Sequence, residues 1–539
     1  MSATQLINMD KDFIYQNRVF WSAFPARGYN RKVLIEEPSI PMINHSNAIF
    51  SVILNQAKSL TPVWLCNNVK AEDSELFKSY VPTAEFMSFP KVSLFDKIKM
   101  KLAAIWKFVI MYLTKDVLSF SYDGVKYGDI VYDMYLKRCS VATIRAIDAR
   151  LLRSIYDCIC RHETIRKILL SDDFDAVLVS HQIGLHSGVM LRAAIRYGYK
   201  GYLRAGHHLS TLQCFEKPDE VYDYEYKPFP EDIDRIIATL GSEFNDAYRS
   251  IFNKQVSGKG DKDGIYAFSE DNKYYRDRAS FVREFGLDAQ KKNIFVMLHA
   301  FNDYPHSHFR WMLFKDYYDW FEKTLDFARQ NGGVNWIFKQ HPSIKFYVTK
   351  DVSFDSLFSN CQGNIIYIDE NKQIDTRSLV HCADLVVTCV GSAGFELPAM
   401  GAIPSLIAGD TLYSNLGFAM EPRTKKEYFQ ILSNAQNLNP LTPEQQKRAQ
   451  AAYMHIYEFS RVYMPACPIA TAEDEKDRNQ QAWYWEKVAK LYLTSGELIK
   501  NLVHAYIDDV AKPDFKRLDS LDTYCSSGKM REKHQKISV

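Results

Sequence analysis

Strand-like apolar runs alternate with stretches of helical period along most of this chain. VLIEE (33–37) reads as a strand, 46–58 as a helix and VWLC (63–66) as the next strand. FDAVLVSH (174–181), a helix over 188–197 and GYLRAG (201–206) repeat the scheme. The stretch QVSGKGDKDG (255–264) carries three glycines and no apolar period, so it reads as a linker. A second series follows it: NIFVMLHA (293–300), a helix over 311–330 closed by Gly332 and Gly333, and VNWIFKQHP (334–342). NIIYID (364–369), a short helix over 378–381, ADLVVTCV (383–390) and IPSLIA (403–408) complete it. Strands alternating with helices predict parallel sheets, so the expected fold class is α/β.

Two such series predict an N-terminal domain over 1–264 and a second over 265–435, facing each other across a cleft of the kind that holds ligands. Residues 436–511 read as mostly helical and start near the N-cap pattern Thr442-Pro443-Glu444-Gln445. Residues 512–539 are polar and read as a mobile tail.

One amphipathic stretch stands apart. In KIKMKLAAIWKFVIMYLTK (97–115), Ile98, Leu102, Ile105, Val109 and Tyr112 recur at helical spacing, flanked by Lys97, Lys99, Lys101, Lys107 and Lys115. Such a helix can lie on an anionic membrane surface, or turn its apolar face to a core with its lysines solvated. No segment reaches the about 18–20 uninterrupted apolar residues of a membrane span.

Composition narrows the partners. With 47% hydrophobic and 24% charged residues among 539, the chain is neither disordered nor fibrous. Its net charge of +2 gives no electrostatic reason to expect nucleic acid. Ten cysteines include no C-x-x-C pair, which argues against a zinc site or a disulfide framework and for a reducing compartment. The start MSATQLINMDKDF lacks a basic-then-apolar export pattern. The expected location is cytoplasmic, with a peripheral place on the inner membrane as the variant that 97–115 allows.

The candidate chemistry collects at strand ends, where open α/β sheets bind ligands. Gly391-Ser392-Ala393-Gly394 joins a strand to a helix containing Glu396. Small residues there let backbone N–H groups approach a phosphate, Ser392 can add a hydroxyl, and Glu396 could accept from ribose hydroxyls. The same spacing equally suits a tight turn whose glycines are needed for sterics alone. It is neither G-x-G-x-x-G nor a Walker loop. Lys339-Gln340-His341-Pro342 ends another strand: Pro342 stops it, Lys339 can neutralise a phosphate and His341 can bond one, although a lone strand-end histidine is more often structural. Asp303, in LHAFND, could act as nucleophile or base in glycosyl chemistry, or cap a turn. His181 and Arg204 end strands of the first series. No metal site is predicted: His306 and His308 lack a third ligand, and Asp173-Phe174-Asp175 precedes its strand.

Taken in order, VKYGDIVYDMYLKR (125–138), FDAVLVSHQIGLHSGVMLRAA (174–194), LHAFND, KQHPS and ADLVVTCVGSAGFELPAMGAIPSLIAG resemble the bacterial capsule and O-antigen polysaccharide glycosyltransferases. The nearest group is the retaining β-Kdo transferases, which use CMP-Kdo, and the resemblance spans roughly 31–428. It implies a GT-B-like architecture of two Rossmann-like domains with a helical C-terminal region. It implies a nucleotide-sugar donor in the C-terminal domain and an acceptor, a polysaccharide or lipid-linked oligosaccharide, mostly in the N-terminal one. His341 and Pro342 would then hold the CMP phosphate, Ser392 and Glu396 would lie at the nucleotide, and Asp303 would be the nucleophile. His181 or Arg204 would orient the acceptor or the donor's carboxylate. No cofactor and no metal are implied. The segment 302–305 departs from the Trp-Asp pattern of many members. Two alternatives stay open: a different nucleotide donor (another CMP-ulosonic acid, a UDP- or GDP-sugar, or a CDP-polyol), and a non-enzymatic scaffold of polysaccharide assembly.

Overall fold

A computed structural model describes residues 3–27, 30–37, 40–67, 71–259, 272–361, 363–370, 372, 374–469 and 481–526. The chain forms two compact units, each assembled from three segments. The first takes Met1–Val131, Asp148–Glu225 and Arg461–Asp519; the second takes Tyr132–Ile147, Tyr226–Ser460 and Ser520–Val539.

In the first unit the strands are β1 (Lys32–Glu36), β2 (Thr61–Cys66), β3 (Glu85–Ser88), the two-residue hairpin strands β4 (Ser121–Tyr122) and β5 (Val125–Lys126), β6 (Phe174–Val179), β7 (Lys200–Gly206) and β8 (Leu209–Phe215). The helices are α1 (Ala3–Trp21), α2 (Pro41–Lys58), α3 (Ala71–Lys78), α4 (Leu94–Thr114), α6 (Ala149–Leu169) and α7 (Val189–Arg196); α5 (Gly128–Cys139) starts in this unit and belongs to the second from Tyr132 on. Helix α2 starts five residues before the periodicity suggests, because Pro41 is preset for a first helical turn. Strands β3, β2, β1, β6 and β7 are parallel neighbours in that order. The alternation along β1 fills both faces: Val33 and Ile35 join one core, Leu34 the other.

The second unit repeats the plan. Its strands are β9 (Asn293–Met297), β10 (Asn335–Lys339), β11 (Ile365–Ile368), β12 (Leu385–Thr388), β13 (Ser405–Ile407) and β14 (Ala419–Met420), all parallel, in the spatial order β11-β10-β9-β12-β13-β14. Ile294 and Val296 face one core and Phe295 the other. Both units are thus Rossmann-like sheets, the α/β class expected from the alternating pattern.

Several boundaries differ from the sequence reading. The helix expected over 311–330 begins at Tyr317, where the Asp316 side chain caps it by accepting the Asp319 N–H at 2.9 Å. Residues 255–259 of the expected linker continue a helix as a π turn, and 260–264 lie outside the described residues. The helical C-terminal stretch is divided: the helix Pro443–Met454 belongs to the second unit and Gln481–Ala511 to the first. Between them β15 (Val462–Tyr463) pairs with β8. Within residues 512–526, read as part of a mobile tail, the stretch 518–521 is packed: Leu518, Ser520 and Leu521 are buried, and the Leu518 N–H bonds the Leu212 carbonyl at 3.0 Å. The rest of that tail lies outside the described residues. Two spaced leucines in a polar stretch are enough to anchor it, which composition alone does not reveal.

Candidate functional site

In the second unit the chain lays β9, β10 and β11 in one direction, then returns to place β12 on the other side of β9. The loops after β9 and β12 therefore diverge, and the crevice they leave at the carboxyl ends is where open α/β sheets bind ligands. His299, two residues past β9, stands in that gap. Its Nε2 accepts the Val390 N–H at 3.3 Å, which places the ring proton on Nδ1, and it lies 3.1 Å from Thr388 Oγ1. The ring stacks on Tyr317 with centroids 4.2 Å apart. Burial pushes its pKa down to about 3, and the neighbouring His341 adds to that shift.

The Gly391–Gly394 turn closes the far side. The Gly391 N–H bonds Thr388 Oγ1 at 3.1 Å, and the Tyr413 hydroxyl donates to the Gly391 carbonyl at 2.8 Å. A Cβ on Gly394 would fall 1.9 Å from that hydroxyl, and one on Gly391 would meet Thr388 Oγ1 at 2.8 Å. Close packing thus demands both glycines, as the tight-turn reading holds. The turn still leads into the helix Ala393–Gly401, and the N–H groups of Ser392 and Ala393 meet no acceptor among the described residues. The Ser392 side chain is exposed. Glu396 accepts the Tyr457 hydroxyl.

Lys339 and His341 leave the end of β10, beside β9. Lys339 is buried, 8% exposed, and its ammonium meets no acceptor among the described residues. Burial lowers its pKa to about 8. His341 is pushed down to about 4 by burial, with Lys339 adding to the effect. Pro342 opens the 3₁₀ turn Pro342–Phe346, so the strand stops where expected. Gln340 and Asn302 add a buried amide nitrogen and a buried amide oxygen without partners. The crevice thus gathers two imidazoles held neutral and an ammonium that no carboxylate balances among the described residues.

Asp303 lies on the loop after β9. Its carboxylate is 3.8 Å from Lys137 Nζ and also takes a hydrogen bond from Tyr347. Burial raises its pKa, while Lys137 and Tyr347 oppose the rise and favour the charged form. Lys137 in turn lies 4.5 Å from the Tyr304 ring centre and 4.4 Å from that of Tyr347. Tyr304 has a positive φ of 48°, a left-handed conformation that a non-glycine residue holds only where its surroundings enforce it. Part of that enforcement is Asp133, fully buried on α5, whose carboxylate accepts the His306 N–H, the Ser307 N–H at 2.8 Å and the Ser307 hydroxyl.

The residues expected from sequence therefore fall into three places. Lys339, His341, Gly391 and Ser392 border the His299 crevice; Asp303 sits in a cage of Lys137 and Tyr347; His181 and Arg204 belong to the first unit. In that unit His181 is exposed after β6. Arg204 is buried, donating to Asn47 Oδ1 at 3.0 Å and to the Gly206 carbonyl. His299, Thr388, Lys137, Tyr347 and Asp133 were not singled out by sequence. For His299 the strand-end position in LHAFND was a usable signal; Lys137, on a helix far upstream, offers none.

No family model matches the chain, and no curated protein matches it. Among solved structures it is similar to a β-Kdo 2,4 transferase from Thermosulfurimonas dismutans, at 11% identity and TM-score 0.31, over 56% of this chain and 86% of that one. It is similar to a UDP-GlcNAc 2-epimerase from Neisseria meningitidis bound to UDP-GlcNAc, at 12% identity and TM-score 0.18, over 87% and 99%. It is also similar to the wall teichoic acid polymerase TagF, at 11% identity and TM-score 0.16, over 94% and 99%. At these values the likenesses are coarse, and the chemistry rests on the site's own geometry.

Proposed function

We propose that the chain is a glycosyltransferase whose second unit takes a nucleotide-activated sugar at the carboxyl ends of β9, β10 and β12. The observation that carries this reading is the unbalanced ammonium of Lys339, buried beside His341 and His299 on the same sheet edge as the free N–H groups of Ser392 and Ala393. A phosphate there would supply the missing negative charge and accept all of these donors.

CMP-Kdo is the donor this reading favours, since one phosphate suits one free ammonium. Asp303 attacks the anomeric carbon while the bond to the CMP oxygen breaks and its electron pair leaves with the phosphate. Lys339 and His341 stabilise that charge. An acceptor hydroxyl of a surface polysaccharide or its lipid-linked precursor then displaces Asp303, losing its proton to a base. Two displacements at one carbon retain its configuration. Lys137 and Tyr347 oppose the rise that burial imposes on Asp303 and so favour its charged form for the first step. In the first unit, the exposed His181 stays the candidate for an acceptor, whereas the buried Arg204 is already bonded to Asn47 and the Gly206 carbonyl.

Thermal unfolding with CMP, CDP, UDP and GDP tests the donor: CMP is expected to raise the midpoint most. A larger rise with UDP or GDP transfers the site to a diphosphate donor. No rise with any nucleotide refutes the transferase reading and leaves the scaffold.

A further inference from the structure

Helix α4 turns its apolar side away from the protein. Only Met100, Ala104 and Met111 are buried along its 21 residues. At about 100° per residue these three share one face. Ile98, Leu102, Ile105, Trp106, Val109 and Leu113 fall on the opposite one, and all are exposed, Leu102 by 62%, Trp106 by 65% and Leu113 by 73%. The helix starts with Leu94 and Phe95, themselves 74% and 75% exposed. A contiguous apolar strip of this length on a globular surface marks an interaction site.

The charges beside the strip indicate what covers it. Lys99 and Lys101 flank its two edges, and Lys97 and Lys115 are exposed with them. The only acid of α4, Asp96, is neutralised by Lys167 at 2.6 Å and also accepts the Ser93 hydroxyl. A recess beside the first turns adds Lys91, Lys99, Arg166 and Lys167 against Asp96 and Glu163. Lysines bordering an apolar face that carries Trp106 and Tyr112 match a bilayer interface, where aromatics sit at headgroup depth and basic residues meet anionic lipids. Among the described residues no helix is long and apolar enough to cross a membrane.

We propose that α4 is a docking helix that lies in the surface of an anionic phospholipid bilayer, its Leu102–Trp106 face in the acyl boundary and its lysines on the headgroups. This holds the chain at a membrane without a span, whichever nucleotide its second unit takes.

The test is co-sedimentation of the full chain with phosphatidylcholine vesicles, with and without about 30% phosphatidylglycerol. The chain is expected to pellet with the anionic vesicles and not the neutral ones, and to be released by high salt. The pair Leu102→Glu and Trp106→Glu is expected to abolish pelleting, and Lys99→Glu with Lys101→Glu to weaken it at least about tenfold. Both pairs replace exposed side chains, so unchanged melting and nucleotide response verify folding and separate this test from the donor assignment. No pelleting of the unaltered chain, equal pelleting with neutral vesicles, or full pelleting of the Leu102/Trp106 pair each overturns the proposal. So does a concentration-dependent dimer lost in that pair, which assigns the face to a second copy.

Discussion

Replacing Lys339 by methionine keeps the side chain's length and apolar stem and removes only the ammonium. The drop of its pKa from 10.5 to about 8, at about 1.4 kcal/mol per pKa unit, corresponds to about 3 kcal/mol charged against the ligand-free fold. The folded protein holds this proton less tightly than the unfolded chain. Below about pH 8 both forms carry it and the full penalty applies. Between about 8 and 10.5 the unfolded chain binds more protons, so stability rises with pH, and above 10.5 the penalty is gone. Lys339→Met is therefore expected to stabilise the ligand-free protein by about 1–3 kcal/mol at pH 7, allowing for relaxation around the site. That gain should shrink toward zero as pH approaches 10.5. The same variant is expected to lose most of the midpoint rise given by CMP, because the phosphate no longer relieves a buried charge. Denaturant unfolding at several pH values, with and without CMP, reads both effects. A destabilised Lys339→Met, or an offset that does not change with pH, would show that the ammonium is already balanced, and the anion-site argument would fall with it.

Asp303→Asn is expected to lower turnover with CMP-Kdo by a factor of about a thousand or more, with folding intact. Lys137→Met should lower it less and move the acid limb of the pH–rate profile upward, since Asp303 then keeps only Tyr347 against the effect of burial. Gly394→Ala should destabilise by about 1–3 kcal/mol through its clash with Tyr413, and Tyr413→Phe should recover only part of that loss, since the ring carbon Cζ still lies 2.7 Å from the new Cβ, as measured by denaturant midpoints. His299 and His45 are held neutral, at about 3 and about 4, so their contribution is complete above pH 6.5 and is lost as pH falls below it, by about 1.4 kcal/mol per pH unit for each. His299→Gln should flatten that acid slope in an equilibrium unfolding series, and an unchanged slope would remove His299 from the account.

Most of the parallel strands were legible because each is a short β-branched or aromatic run bounded by polar punctuation, as in VLIEE, NIFVM and DLVVT. Strands β3, β8, β14 and β15 were not. Strands β8, β14 and β15 are short or mixed in character, and their state is decided by a neighbouring strand rather than by local pattern. Helix α2 hides its chemistry for a related reason: its polar His45, Asn47 and Asn55 are all buried and bonded to distant partners such as Tyr80, Arg204 and the Arg27 carbonyl.

For the site, sequence alone determined which strand ends carry polar residues, because a strand's end and its punctuation are local properties. It named Lys339, His341, Asp303 and the Gly391–Gly394 turn on that ground. Only the tertiary structure decided which of these ends adjoin the topological switch between β9 and β12, and that Lys137 and Asp133, on a helix entering from far upstream, hold the Asp303 loop. Likewise the period of α4 was written in its residues, but which side of it meets the core was settled by packing. Burial and unbalanced charge arise between segments distant along the chain, so no window of sequence contains them.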